Sequence, residues 1–272
     1  MDARTAEVER LVDRLASLAD SDDAIALHAL ALEAEAVVDA RASDTFNGLA
    51  LVDPTLLTDL SGRADEALGR AAGLGHPEAA AEVAWRIYCA GQEDRAAEAF
   101  ALLGHASDLP NGQYLLGLFR FAGFGCPVDP GASAAHHRSA AAAGMADAMF
   151  ELYVYASRGI GGPIDDRSAL DWCTRAAEAG SARAMANLGG FYATGHQVPR
   201  DEVQALRWYQ LAAESGHGRA AATVGVMLAT GQGTEPDEDA AREWFTAAGD
   251  LGYDPTALMV QCGIDPARFL EG

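Results

Sequence analysis

The sequence predicts an all-α fold, an α-solenoid of stacked antiparallel helix pairs with a repeat of roughly 36 residues. Three observations carry that prediction. Gly144, Gly180, Gly216 and Gly252 recur at one 36-residue interval, and Gly123, Gly159, Gly195 and Gly231 recur at the same interval in a second phase. Asp129, Asp165, Asp201 and Asp237 form a third series. Trp172, Trp208 and Trp244 form another, with His136 one repeat earlier, and Ala140, Ala176, Ala212 and Ala248 keep step with them. Columns this numerous at one period mark a repeat protein, whose units stack because none can bury its apolar face alone.

Residues 1–62 lack the repeat. The stretch from Thr5 to Ala19 alternates acids and arginines with apolar residues, as an amphipathic helix does and a signal peptide does not. A second helix is expected from about Asp22 to Ala42, followed by a less regular segment from Phe46 to Leu60. Repeat stacks need atypical ends to cover their terminal faces, so residues 1–62 read as an N-terminal helical cap or extension. A separate binding element is the alternative. The repeat region proper is expected over residues 63–272, with a shortened interhelix loop between Gly75 and His105.

Each full repeat reads as two helices. In the first, Ala184, Leu188, Phe191 and Tyr192 recur at three- and four-residue steps, and Gly195 supplies the left-handed residue that ends the helix. Asp201 then caps the second helix, with Gln204 placed for a capping box, and Ala205, Trp208, Tyr209, Ala212 and Ala213 form its buried stripe. The small alanines allow close helix approach while the tryptophan fills the space between pairs. After Gly252, Pro255–Val260 opens another first helix, and Asp265 and Pro266 start a closing turn that caps the C-terminal end.

The segment AMANLGGFYATGHQVPRDEVQALRWYQLAAESG, from Ala184 to Gly216, resembles the Sel-one-like repeat (SLR) family, a relative of the tetratricopeptide repeat. The family pattern A-x-x-x-L-G-x-x-Y-x-x-G, then D-x-x-x-A-x-x-W and A-A-x-x-G, is matched almost completely there. The match is good from Gly144 to Gly252 and looser between residues 63 and 144, where His136 stands for tryptophan. The resemblance implies a solenoid whose first helices line a groove used for protein or peptide binding. In a cysteine-rich branch of the family, disulfides staple the repeats. Here Cys89, Cys126, Cys173 and Cys262 fall in different phases, so that ladder is not expected.

Composition removes several functions. The chain has 272 residues, 40 acids and 19 basic residues, a net charge of −21, and all 19 bases are arginine. Such acidity argues against nucleic acid or an anionic membrane as the main partner. The absence of lysine removes the phosphate-loop lysine, the kinase lysine and the pyridoxal Schiff base. No apolar run reaches the roughly 18 residues of a membrane span. The free cysteines suit a cytoplasmic protein.

Chemical motifs are sparse. The glycine-rich loops at Gly123 and Gly159 follow helices, so they read as turns rather than phosphate cradles. The loop aspartates read as caps. His76 and His217 follow repeat glycines and belong at helix starts, and His136, in the tryptophan column, is expected in the core. No HExxH, CxxC or GxSxG occurs. Catalytic residues, a metal and a cofactor are therefore not expected, and an enzyme is not the expected reading.

The binding face is read from columns that change chemistry between repeats. One holds Asn111, Asp147, Arg183 and Arg219; a second Leu115, Glu151, Asn187 and Thr223; a third Ala122, Arg158, Thr194 and Thr230. Steps of zero, four and eleven place all three on one helix face. The candidate groove residues are therefore Asp147, Glu151, Arg158, Arg183, Asn187, Thr194, Arg219, Thr223 and Thr230. Arg183, Arg219 and Asn187 together are suited to receive a carboxylate, and the competing expectation is that the arginines simply pair with nearby acids. The function expected is a protein- or peptide-binding scaffold, an adaptor or regulatory module, whose partner is basic or presents a carboxylate. The alternatives are an enzyme or small-molecule-binding protein with a site in the groove, and a self-associating structural protein.

Overall fold

The computed structural model describes residues 3–46 and 52–270, and among these the chain is helical with no strand. It divides into two compact units, Met1–His136 and His137–Gly272.

In the first unit, α1 (Ala3–Leu18), α2 (Ala24–Phe46) and α3 (Pro54–Gly73) are long helices. Their apolar faces meet through Val8, Leu11, Leu15, Leu27, Leu30, Leu60 and Leu68, all buried. Part of the segment from Phe46 to Leu60 lies outside the described residues, and its second half begins α3, with Asp53 capping Thr55 and Pro54 at the first helical position. This helix continues through residue 62 to Gly73. Then follow α4 (Pro77–Cys89), a single 3-10 turn (Glu93–Arg95) and the short α5 (Ala96–Leu102), with the shortened interhelix loop expected there. One guanidinium ties three helices together: Arg86 of α4 bonds Glu82 of α4 at 2.7 Å, Asp65 of α3 at 2.9 Å and Glu35 of α2 at 2.7 Å.

From α6 (Pro110–Ala122) and α7 (Pro130–Ala142) onward the repeat is regular. The second unit contains α8 (Ala146–Arg158), α9 (Asp166–Glu178), α10 (Ala182–Thr194), α11 (Glu202–Glu214), α12 (Gly218–Thr230) and α13 (Glu238–Asp250). Connections this short make successive helices antiparallel neighbours. Gly159, Gly195 and Gly231 end the first helices in the left-handed conformation, at φ of 67°, 75° and 73°. Asp165, Asp201 and Asp237 cap the second helices, each accepting at 3.0 Å from the amide three residues on. The amide of Asp201 donates instead to Tyr192 O, as that of Asp165 does to Ala156 O and that of Asp237 to Leu228 O. Main-chain closure of the loop thus takes the amide that a capping box with Gln204 would have used. His76 and His217 do start helices, their Nδ1 atoms accepting from the amides of Ala79 and Ala220.

The core shows a size exchange between two columns. Where the first helix carries Gly189 or Gly225, the facing second-helix residue is a ring, Tyr209 or Phe245; a Cβ on Gly225 would lie 2.7 Å from the Phe245 ring. Where the first helix carries Tyr153, its neighbour is Cys173. That column, not the tryptophan column, is the deep one: Cys173 is fully buried and Phe245 nearly so. The same register corrects the histidine reading. His137 is the fully buried one and meets the Tyr155 ring edge-on at 5.6 Å, whereas His136 is half-buried and bonded to Gln113 Oε1 at 2.9 Å. At the C-terminal end, α14 (Thr256–Gln261) and α15 (Ala267–Leu270) close the stack, with Phe269 against Phe245 at 5.3 Å.

Candidate functional site

The first helices α8, α10 and α12 hold all nine candidate groove residues. The structure separates them into two environments. On α10, Arg183 donates to Asp147 Oδ1 at 3.1 Å and lies 3.7 Å from Glu151 Oε1, both on α8. Its guanidinium also stacks over the Phe150 ring, 4.2 Å from the centroid. Burial pushes the Glu151 carboxyl above its ordinary pKa, and Arg183 pulls in the other direction. This cluster is self-satisfied. The expected joint site of Arg183 with Arg219 does not form, because Arg183 has an acid one repeat back and turns toward it.

The second environment is a cleft of about 500 Å³ on α10, α11 and α12. Of the candidates it gathers Asn187, Thr194, Arg219 and Thr223. Arg158 and Thr230, at the ends of α8 and α12, do not line it; Thr230 Oγ1 donates to Val226 O at 2.8 Å. Thr194 and Thr223 likewise spend their protons on Gly190 O and Arg219 O, and Thr194 Oγ1 also accepts from the His196 amide. The Arg219 guanidinium, the Asn187 amide and the Tyr209 hydroxyl have no hydrogen-bond partner among the described residues, and Arg219 has no carboxylate within ion-pair distance. No aspartate or glutamate lines the cleft. Burial raises the Tyr209 pKa against the pull of Arg219, and burial lowers that of His217, with Arg219 adding to the effect. The cleft therefore holds neutral donors around one cation.

Sequence reasoning missed two residues that shape this place, and both were visible as breaks in a column. Gly190 stands where the other repeats have Leu118, Val154 and Val226, and it opens the floor of the cleft. Gln197 stands where they have Gly125, Gly161 and Gly233. It keeps their left-handed conformation, at φ 64°, although a side chain makes that conformation costly. Its Oε1 is buried without a hydrogen-bond partner, and its neighbour His196 lines the cleft.

Two other clefts are already balanced by their own charges. One of about 310 Å³ is lined by Leu15, Leu27, Arg63 and Arg70, but Arg63 pairs with Asp59 and Arg70 with Asp22. Another of about 240 Å³ surrounds the paired Arg86. Elsewhere, the Cys173 thiol is pushed up to about 12 by burial, so it stays protonated and unreactive at neutral pH. Among the described residues no three His, Cys, Asp or Glu side chains group as a metal site, and no helix is long and apolar enough to cross a membrane.

Fold and columns together define a helical repeat protein of stacked pairs. Four consecutive segments, 110–145, 146–181, 182–217 and 218–253, match the Sel1 repeat, and the chain belongs to that family. Among solved structures it is similar to a Sel1 repeat protein from Oxalobacter formigenes, at 29% identity and a TM-score of 0.66, over 76% of this chain and 87% of that one. It is also similar to a protective antigen of uropathogenic Escherichia coli strains that displays an SLR fold, at 24% identity and a TM-score of 0.66. That alignment covers 96% of this chain and 54% of the antigen, so the chain spans about half its length. No curated protein matches the sequence.

Proposed function

We propose that this protein is a non-enzymatic scaffold that binds a protein or peptide segment across its first helices, as an adaptor or regulatory module in the cytoplasm. One observation carries the reading: an open cleft in which Arg219, Asn187 and Tyr209 have no hydrogen-bond partner among the described residues, on a face whose columns change chemistry between repeats. The groove runs over Asp147, Glu151, Arg158, Arg183, Asn187, Thr194, Arg219, Thr223 and Thr230, with the cleft as its anchoring point. In this reading residues 1–62 form the N-terminal cap and residues 63–272 the solenoid with its short C-terminal cap. A net charge of −21 steers a basic partner toward the protein, so association slows as salt rises.

The test is a peptide array probed with the wild-type protein and with Gly190→Val, which places in the cleft floor the residue that Val154 and Val226 supply elsewhere. Peptides held by the wild type and released by the variant, at equal melting temperature, are the expected result. Equal retention of every peptide by the two proteins sinks the groove.

A further inference from the structure

The second unit contains a template for what its cleft lacks. In the step from α8 to α10, Arg183 is held by two carboxylates, Asp147 and Glu151, and lies over the ring of Phe150. One repeat later, the residue equivalent to Arg183 is Arg219. The positions that held its partners have changed: Asp147 becomes Arg183, Glu151 becomes Asn187 and Phe150 becomes Ala186. Among the described residues Arg219 is thus left with neither an acid partner nor a stacked ring. Ala186 and Asn187, which stand in for the ring and one carboxylate, both line the cleft beside it.

We propose that a bound segment supplies the missing groups, an aromatic side chain directly followed by a glutamate, so that the cleft on α10–α12 is a pocket for an aromatic–acidic pair. The inference rests on the peptide-binding reading above and specifies its ligand. The carboxylate meets Arg219, with the Asn187 amide and the Tyr209 hydroxyl as further donors; a planar guanidinium suits a carboxylate in two-point contact. The aromatic ring enters over Ala186 and Gly190, where the other repeats close the floor with Leu118, Val154 or Val226. Cation–ring contact with Arg219 then repeats that of Arg183 with Phe150.

Charge supports the assignment. On a chain with 40 acids, an acid-free lining around an unpaired arginine admits an anion that the rest of the surface repels. The repulsion is long-ranged and screened beyond about 8 Å at physiological salt, whereas the contact in the cleft is direct. The pair therefore has to be carried by an otherwise basic segment. Its basic flank meets the surface of a chain that carries 40 acids against 19 arginines. The site lies in an interior repeat, with α8 on one side and α13 on the other, so an internal segment can cross it without ending there.

The probe is a fluorescein-labelled, C-terminally amidated nonapeptide with arginine and serine flanks around a central Phe-Glu, compared with otherwise identical Phe-Gln and Ala-Glu peptides. Fluorescence anisotropy against the full chain is expected to show the Phe-Glu peptide binding at least about tenfold more tightly than either control, as loss of a charge-assisted contact implies. Arg219→Gln erases the Glu-over-Gln preference and weakens the Phe-over-Ala preference without abolishing it, because the ring loses its cation but keeps its place over Ala186 and Gly190. Gly190→Val abolishes binding of all three, and both variants keep the wild-type melting temperature. Equal binding of Phe-Glu and Phe-Gln, a preference that survives Arg219→Gln, or no binding of any peptide overturns the aromatic–acidic assignment. If array peptides of other composition are still released by Gly190→Val, the groove survives and only this assignment falls; if Gly190→Val releases nothing, both fall.

Discussion

The three opening helices are 16, 23 and 20 residues long and bury leucine and valine together with alanine. From α8 to α13 all six helices have 13 residues, and their cores set alanine clusters beside larger side chains, with glycine against a ring. What separates the two regions is the room at their helical glycines: a Cβ on Gly62, Gly69 or Gly73 of α3 would meet nothing, whereas one on Gly189 or Gly225 would run into the ring of Tyr209 or Phe245. The repeats therefore depend on the absence of volume at a few fixed points, and the long helices do not. Cross-helix ion pairs occur in both regions: Arg86 joins three helices of the irregular one, and Arg183 joins α10 to α8 in the repeats, where caps recur every 36 residues as well.

This contrast breaks most readily at Gly233. Its φ is +75° and a Cβ there would lie 2.3 Å from the backbone oxygen of Glu202. Gly233→Ala is expected to destabilise by more than about 4 kcal/mol, since strain adds to a clash that no side-chain rotation relieves. Leu60→Ala, in the buried leucine interface, is expected to cost about 2–5 kcal/mol. Urea titration of both variants gives the order, and a Gly233 variant milder than Leu60→Ala would refute the distinction drawn between the regions.

Next in size is the exchange between columns. Gly225→Ala pushes a methyl group into the Phe245 ring and is expected to cost about 1–3 kcal/mol. Gly225→Tyr alone should cost more. Combined with Phe245→Cys it recreates the Tyr153–Cys173 arrangement of an earlier repeat, so the double variant should be more stable than Gly225→Tyr by a clear margin in the same titration. Additive losses would mean that the two columns are not coupled.

The smallest effect concerns acid. Burial lowers the pKa of His28, His136 and His217 from the ordinary 6.5. The unfolded chain then binds more protons than the folded one, so this contribution is complete above about pH 6.5 and is lost as pH falls through the folded values. The His217 cap needs a neutral Nδ1 to accept from Ala220. Glu151 acts in the opposite sense, because its folded carboxyl titrates above the ordinary range. Comparing urea midpoints at pH 7.5 and 5.5 should show a loss on the order of 1 kcal/mol, reduced in His217→Asn, which keeps an acceptor without the charge. An unchanged loss in that variant would exclude the cap as its source.

Much of the repeat was legible in the sequence because its signals are backbone requirements. Gly195 at a left-handed helix end and Asp201 at a helix start follow from local sterics and unpaired amides. The histidine assignment failed by one residue: adjacent positions on a helix differ by about 100°, and only packing decides which one faces inward. The variable columns placed the candidate residues on three successive first helices, but their division into two environments was not legible. Whether Arg183 joins Arg219 or turns to Asp147 depends on which acid stands one repeat back, a relation between repeats rather than within one. Gly190 and Gln197 were present as exceptions to their columns, and exceptions show only once the columns that surround them are treated as rules.

The loop after each first helix is closed by main-chain atoms, the amide of Asp165, Asp201 or Asp237 donating to a carbonyl of the helix before it. Closure of this kind is indifferent to most of the side chains it encloses. A repeat can therefore be handled as a cassette: residues 182–217 grafted in duplicate would carry Gly190 and His196 with them and bring a second copy of the cleft floor, with one joint to redesign, because the second Gln197 would fall where Gly233 packs against Glu202 O and would have to become glycine.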